Sequence, residues 1–199
     1  IIELVKNAYD ADAECVYIQY NMPFPNILKN TTYTYLEHYL KKDELKYVLN
    51  FYEEKKDKLI RKEALTEEEI NSLQSILFSK NEIIIIDNGT GMTKNTMKTT
   101  WMNIATSDKE KNMYSQKGRV KTGAKGIGRF ALEKLSLETE VYTKNVNDKL
   151  IDWSIDWKQF DNVELLNEIR ANLDEKGNCS YVDVIKEKIG DRAFEEISK

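Results

Sequence analysis

The sequence contains little cysteine, histidine or proline, and it has no long hydrophobic run. Its two cysteines, Cys15 and Cys179, form neither a metal-binding spacing nor a disulfide framework, so we expect a reducing, cytoplasmic compartment. The longest aliphatic run is the four isoleucines at 83–86, far short of the roughly 20 apolar residues of a membrane span. We therefore expect no membrane partner.

The net charge is also small. The chain has 30 Lys and Arg residues against 34 Asp and Glu residues, which gives −4. Such a balance supplies no independent argument for a nucleic-acid partner. A length of 199 residues with 41% hydrophobic residues is sufficient for one sizeable domain, or for one domain with an insertion. Because the chain begins without Met and already inside a helical pattern, we expect it to be a piece of a longer protein.

The order of the predicted elements indicates an α/β (α+β) two-layer sandwich, in which a mixed sheet is covered on one face by helices. We predict helices from hydrophobic periodicity and strands from runs of β-branched and aromatic residues. The helices are expected over 1–14, 94–105 and 128–136 and through two C-terminal segments that contain Leu166 with Leu173 and Val184 with Ile189. The strands are expected over 15–20, 83–86, 138–144 and 149–160.

Residues 21–80 are predicted to form a helical insertion within a single domain of residues 1–199. The stretch is rich in Lys and Glu, and Thr66 with Glu69 forms a capping-box pattern at the start of an amphipathic helix. That helix is expected to bury Ile70, Leu73, Ile76 and Leu77. A helical insertion with a solvated face and a partner-binding helical hairpin are both compatible with this pattern.

The first chemically suggestive segment is E-x-x-x-N-x-x-D at the start of the chain. Glu3, Asn7 and Asp10 fall on one side of the predicted helix, next to the aliphatic side. Glu3 could deprotonate a water, and the Asn7 amide oxygen could bind Mg²⁺ that holds phosphates. The alternative is an ordinary solvated helix face.

The second segment is D-x-G-x-G, directly after the four isoleucines that we predict to be a strand buried on both faces. Asp87 could accept a hydrogen bond from the exocyclic amine of adenine, while guanine presents a carbonyl there. Gly89 and Gly91 would let the backbone approach a flat ligand, and Met92 could pack on the base. The same residues are also good chemistry for a plain turn.

The third segment is GAKGIGR at 123–129, which opens a predicted helix after a basic, small-residue loop over 106–128. Closely spaced glycines free backbone N–H groups to bind an anion at a helix N-terminus. The segment lacks the Gly-Lys-Ser/Thr of a P-loop. It fits G-x-G-x-x-A, but no buried strand precedes it, which argues against dinucleotide binding.

Together the three segments, in this order, resemble the Bergerat-fold (GHKL) ATPases. This superfamily includes gyrase B, MutL, the large heat-shock chaperone, MORC proteins and histidine kinases. ELVKNAYDADA resembles its N-box, IIIIDNGTGMT its adenine box and TGAKGIGRFAL its lid-hinge box. The resemblance covers roughly residues 1–20 and 82–160, and the segment WMNIATSDK looks most like MORC-type and chaperone-type prokaryotic members.

The resemblance implies an ATP-binding domain that hydrolyses ATP with Mg²⁺ and closes a lid. It implies that Glu3 is the general base, that Asn7 binds Mg²⁺ and that Asp87 reads adenine. It also implies a larger set of nucleotide-binding positions. These are Asp10, Gly89, Gly91, Met92, Thr106, Gly123, Lys125, Gly126, Ile127 and Gly128.

The expected partners also follow from the resemblance. They are ATP and ADP, a nucleotide-dependent homodimer of the longer protein, and DNA by analogy alone. Glu3 favours hydrolysis, because histidine kinases usually lack a carboxylate at the corresponding position. A histidine-kinase-type phosphotransfer module and an ATP-sensing module without turnover remain alternatives.

Overall fold

The structure is a computed structural model that describes residues 1–101, 113–122, 130–162, 170–177 and 179–198. The chain divides into two compact units. Unit 1 combines Ile1–Ile18 with Ile85–Lys199, and unit 2 is Gln19–Ile84. No helix among the described residues is long and apolar enough to cross a membrane.

Both units contain helices and strands. The helices are α1 (Ile2–Asp10), α2 (Tyr33–Tyr39), α3 (Lys42–Leu49), α4 (Glu67–Phe78), α5 (Lys94–Thr96), α6 (Phe130–Glu133), α7 (Tyr181–Ile189) and α8 (Asp191–Ile197). The strands are β1 (Val16–Asn21), β2 (Asn30–Thr31), β3 (Tyr52–Lys55), β4 (Lys58–Arg61), β5 (Glu82–Asp87), β6 (Glu138–Thr143), β7 (Leu150–Asp156) and β8 (Asn172–Lys176). A π-helical turn (Met97–Trp101) follows α5, and a 3₁₀ helix (Trp157–Asn162) follows β7.

The predicted α/β class is confirmed. The described strands form three small sheets, with orders β1–β5, β2–β4–β3 and β6–β7–β8, in place of the single mixed sheet that the sequence suggested. The isoleucines of β5 are only partly buried, whereas we predicted a strand covered on both faces. Within the described residues β1 is the only strand paired with β5, which leaves the other edge of β5 without the strand neighbour that a central position requires.

Unit 1 contains an antiparallel sheet in which β7 is the central strand. Trp153 of β7 pairs with Val141 of β6 on one side and with Leu173 of β8 on the other. Trp153 packs with Met97 and Trp157 in a buried cluster. The prediction that Leu173 belongs to a helix is therefore wrong, because β8 completes this sheet; the earlier part of that predicted helix, 163–169, lies outside the described residues.

Unit 2 contains more β structure than the predicted helical insertion. β3 and β4 form a hairpin in which Lys55 pairs with Lys58. The connecting residues Lys56 and Asp57 have φ values of 49° and 62°, as a two-residue turn with left-handed backbone requires. The prediction of helix is wrong for this hairpin. The hairpin was not expected because Lys-Asp lacks the Asn-Gly or Asp-Gly signal of such turns.

The predicted helix at the end of unit 2 is present as α4. Thr66 Oγ1 accepts a hydrogen bond from Glu69 N, and the Glu69 carboxylate accepts one from Thr66 N, which confirms the capping box. Leu73 and Leu77 are fully buried, while Ile70 and Ile76 are partly buried. The buried cluster of unit 2 draws on both helices and strands. Its members are Phe24, Leu36, Leu40, Leu45, Val48, Phe51, Tyr52, Leu59, Leu73 and Leu77.

Candidate active site

The first candidate group, Glu3, lies in the first turn of α1. Its Oε1 accepts a hydrogen bond from Lys6 Nζ at 2.7 Å, and both side chains are 44% exposed. An ion pair this exposed contributes little to stability, so it does not hold Glu3 rigidly. The carboxylate is accessible to a water molecule and is able to accept a proton from it.

Asn7 follows Glu3 by one helical turn on the same side of α1. The neighbouring residue, Ala8, is buried. Asn7 itself is partly buried, and its side chain makes no hydrogen bond to another described residue. Its amide oxygen is a hard donor of the kind that Mg²⁺ prefers.

The donor set fits a magnesium ion that is bound chiefly through phosphates. Among the described residues there is no group of three or more His, Cys, Asp or Glu side chains able to enclose a metal. Mg²⁺ in nucleotide sites takes one or two protein oxygens and completes its octahedron with phosphates and water. A lone Asn7 amide near the Glu3 carboxylate therefore suits Mg²⁺ carried by a nucleotide.

Helix α1 ends in a Schellman motif. Ala13 N donates to Ala8 O and Asp12 N donates to Tyr9 O, each at 3.0 Å. Asp12 has the left-handed backbone that this motif requires, with φ at 62°, a position where glycine is most common and Asp is tolerated. The motif turns the chain sharply at the end of the helix that carries Asn7.

The segment 87–92 is tied to that helix end by hydrogen bonds. Asn88 Oδ1 accepts from the backbone N–H groups of Glu14 and Cys15, at 2.8 and 3.0 Å. Thr90 N donates to Ala11 O at 2.8 Å. The end of β5 and the end of α1 are therefore held together within unit 1.

Asp87 is exposed at the end of β5. One of its oxygens, Oδ1, accepts from Gly89 N at 2.9 Å, which makes a local Asx turn. This segment is able to form a turn and still contact a ligand, because Asp87 Oδ2 makes no hydrogen bond within the described part of the chain. A carboxylate oxygen in that situation is able to accept a hydrogen bond from a donor group of a ligand.

The two glycines of this segment have a role that the sequence pattern did not indicate. A Cβ atom on Gly89 would lie 2.8 Å from Ala11 O, and one on Gly91 would lie 2.2 Å from Lys144 O. Gly91 also has φ at +63°. Both glycines therefore allow the segment to approach the protein's own backbone; their predicted approach to a ligand stays a prediction.

Met92 is held at the far end of the segment. Its N–H donates to Thr143 Oγ1 at 2.8 Å, and its side chain packs against the buried cluster around Met97 and Trp153. Asn145 Nδ2 donates to Thr90 O at 2.9 Å. Sequence reasoning missed Thr143 and Asn145, because no local pattern marks residues that act across more than 50 positions.

Asp10 is engaged by a different segment of the chain. Its Oδ1 accepts from both the N–H and the hydroxyl group of Thr122, at 2.8 and 3.2 Å. Two residues later, Asp12 is 3% exposed and accepts from Ser115 Oγ at 2.5 Å and from Lys117 N at 3.0 Å. The hydrogen bond from Ser115 is the main reason why the pKa of Asp12 lies below its ordinary value; the Lys117 N–H and nearby cations act in the same direction.

Several predicted positions lie in two segments that the structure does not describe. They all fall in 102–112 or 123–129, outside the described residues, and their roles stay predictions. They are Thr106, Gly123, Lys125, Gly126, Ile127 and Gly128.

In unit 1, the helix that carries Glu3 and Asn7 is joined at its end, through Asn88 and Thr90, to the segment that follows Asp87. This arrangement has the features of a nucleotide-binding domain. A family model for histidine kinase-, DNA gyrase B- and HSP90-like ATPases matches residues 1–190. The chain therefore belongs to this ATPase family, as its resemblance to the Bergerat-fold superfamily suggested. Neither the curated proteins nor the solved structures contain a significant match to the chain. The closer likeness to MORC-type members stays a prediction.

Proposed function

We propose that this chain binds ATP with Mg²⁺ and hydrolyses it, and that the nucleotide state closes a lid and drives dimerisation of a longer protein. One observation carries the proposal. The segment with Asp87 is hydrogen-bonded, through Asn88 and Thr90, to the chain just after the helix that carries Glu3 and Asn7. The proposed adenine-reading residue, Asp87, and the proposed phosphate-side residues, Glu3 and Asn7, therefore lie in the same unit.

Glu3 acts as the general base in this proposal. Its carboxylate accepts a proton from the attacking water, and its partial exposure leaves room for that water. Lys6 competes for the same oxygen, so the ion pair opens or shifts when Glu3 takes the proton. The weakness of an exposed pair makes this movement inexpensive in free energy.

Asn7 and Asp87 bind the two ends of the nucleotide. Asn7 would hold the magnesium ion, whose positive charge would offset the negative charge of the phosphates. The Oδ2 atom of Asp87 accepts a hydrogen bond from the adenine amine. Guanine has a carbonyl at that position, so a carboxylate there disfavours GTP.

The test separates binding from turnover. We expect Glu3→Gln to bind Mg-ATP within about twofold of the unchanged protein and to lose turnover by about 100-fold or more, which is the usual contribution of a general base. Asn7→Ala should lose the Mg²⁺-dependent part of ATP binding. Isothermal titration calorimetry measures binding, and phosphate release measures turnover.

Glu54→Gln is the matched control, since Glu54 is an exposed carboxylate of β3 in unit 2. It should leave both readouts unchanged. Undiminished phosphate release from the Glu3→Gln protein would contradict the role of Glu3. Transfer of labelled phosphate from ATP to a protein histidine, with no free phosphate formed, would show that the chain acts as a kinase module and not as a hydrolase.

Lid closure and dimerisation are supported by the family and by the basic residues of the 106–128 stretch, whose charge complements phosphates. Sedimentation of the full-length protein with and without a slowly hydrolysed ATP analogue tests this part. We expect a nucleotide-dependent increase in mass from monomer to dimer. A mass that does not change with nucleotide would remove dimerisation from the proposal and leave ATP binding intact.

A further inference from the structure

Residues 113–122 form a short hairpin, which we call the 113–122 hairpin. Tyr114 and Val120 pair as an antiparallel bridge, and Ser115 N donates to Arg119 O at 2.8 Å. Gly118 closes the turn with φ at +81°, and its N–H donates to Ser115 O. The side chains of Ser115 and Arg119 are therefore brought next to each other by the backbone of the turn.

The 113–122 hairpin is fastened to the end of α1 chiefly by Asp12. The two oxygens of this buried carboxylate accept from Ser115 Oγ and Lys117 N, and Arg119 Nε lies 3.9 Å away. Arg119 Nη1 also donates to Ala13 O at 2.6 Å. These donors are more than 100 positions away in the sequence, so the contact joins two distant segments of unit 1.

A second set of contacts extends the attachment back along the helix. The Arg119 guanidinium lies over the Tyr9 ring, 5.1 Å from its centroid. Thr122, the last described residue of the hairpin, donates twice to Asp10. Asp10 is one helical turn beyond Asn7 on the same side of α1, so the hairpin holds the turn of helix that carries the proposed Mg²⁺ ligand.

The identity of residue 12 does not follow from the helix end alone. Its left-handed backbone is one that glycine adopts most easily, and glycine is the common residue at this position of the motif. Asp supplies what glycine lacks, a carboxylate directed at the donors of the 113–122 hairpin. Its side chain therefore has a role beyond ending the helix.

We propose that Asp12 is a positioning residue for the nucleotide site. It fastens the 113–122 hairpin to the end of α1, and the fastened hairpin, through Thr122 and Asp10, sets the position of Asn7. The inference rests on the proposed ATP-binding function for its second half. Its first half, the attachment of the hairpin, concerns the protein alone and is tested without nucleotide.

Limited proteolysis tests the attachment. Trypsin cleaves after Lys117, Arg119 and Lys121, all of which lie in the hairpin. Asp12→Asn keeps a residue that tolerates φ near 60° but removes the negative charge. Because charge-assisted hydrogen bonds are lost, we expect cleavage at these bonds to accelerate about tenfold, measured by mass spectrometry in the absence of nucleotide.

The chain offers a close control in Asp57→Asn. Asp57 has the same φ of 62° and undergoes the same chemical change, but it is exposed in the β3–β4 turn of unit 2. In the Asp57→Asn protein, trypsin should cleave the 113–122 hairpin at the same rate as in the unchanged protein. Equal cleavage rates for the Asp12→Asn and Asp57→Asn proteins would overturn the proposal. Thr122→Val is a second variant that leaves the helix end untouched, and it should also accelerate cleavage, by a smaller factor.

Kinetics tests the positioning of Asn7. A displaced Mg²⁺ ligand weakens nucleotide binding, so we expect Asp12→Asn to raise the KM for Mg-ATP about tenfold while kcat changes less than about twofold. A merely structural role would lower the fraction of folded protein, which lowers kcat and leaves KM unchanged. That second pattern would overturn the positioning role. If the unchanged protein does not bind ATP, the proposed function fails, while the proteolysis result still decides whether Asp12 fastens the hairpin.

Discussion

Gly91→Ala should be the most disruptive small substitution in the segment that carries Asp87. Gly91 has a left-handed backbone with φ at +63°, which costs a non-glycine residue about 1–2 kcal/mol. The added Cβ would also lie 2.2 Å from Lys144 O and 2.6 Å from the carbonyl carbon of Lys144. Those atoms belong to backbone, so the contact is relieved only by moving the chain, at a typical cost of about 1–3 kcal/mol. We therefore expect a total loss of about 2–5 kcal/mol.

Gly118→Ala separates the two contributions. Gly118 has φ at +81°, but an added Cβ would meet no atom within 4 Å. Only the backbone cost remains, so the expected loss is about 1–2 kcal/mol. Urea unfolding curves of the two variants, with an unchanged slope, give the difference in the free energy of unfolding.

Equal stability of the Gly91→Ala and Gly118→Ala proteins would contradict this prediction. In that case the 87–92 segment would relax away from Lys144 at no cost, and its position beside α1 would not be fixed by close packing. A second readout follows from the same displacement. Gly91→Ala moves the segment that presents Asp87, so the surviving folded protein should bind ATP more weakly than the Gly118→Ala protein does.

Three further predictions concern named contacts. Lys6→Gln should change kcat by less than about fivefold in phosphate-release assays, since its ion pair with Glu3 is exposed and weak; a larger change would make Lys6 part of the catalytic machinery. Tyr52→Phe should reduce the fall in the free energy of unfolding at alkaline pH, measured by denaturation curves, because burial raises the pKa of Tyr52 from 10 to about 12. The stabilisation from neutral Tyr52, about 2–3 kcal/mol, is complete below pH 10 and is lost as pH rises through 12; an unchanged pH slope would contradict this. Asn88→Ala should lower the free energy of unfolding by about 1–2 kcal/mol, because it leaves two backbone N–H groups without their acceptor, and a neutral effect would show that water replaces it.

Local signals in the sequence were reliable where the interaction itself is local. The capping box of Thr66 and Glu69 spans three residues, and the structure confirms it. The alternation of Ile and Trp near 151–157 marks β7 correctly, because one face of that strand is buried. These features depend on neighbours that are close along the chain.

The missed features depend on distant or atypical partners. Leu173 fits a helical period as well as a strand, and only its pairing with Trp153 decides between them. The β3–β4 turn uses Lys56 and Asp57, which carry no strong turn signal. No local pattern distinguishes Asp12 from the nearby Asp10. The role of Asp12 is visible only in the structure, where Ser115 donates a hydrogen bond to it across 103 positions.

The most direct test of ATP binding by this chain is a calorimetric titration with ATP and with GTP, each with Mg²⁺, repeated on Asp87→Asn. We predict that ATP binds and that GTP binds about 100-fold more weakly, because the carboxylate that pairs with the adenine amine faces the guanine carbonyl. Asp87→Asn should narrow that difference, since an amide both donates and accepts hydrogen bonds. Equal affinity of the unchanged protein for ATP and GTP would contradict the role of Asp87 in reading adenine, and no binding of either would contradict the proposed function.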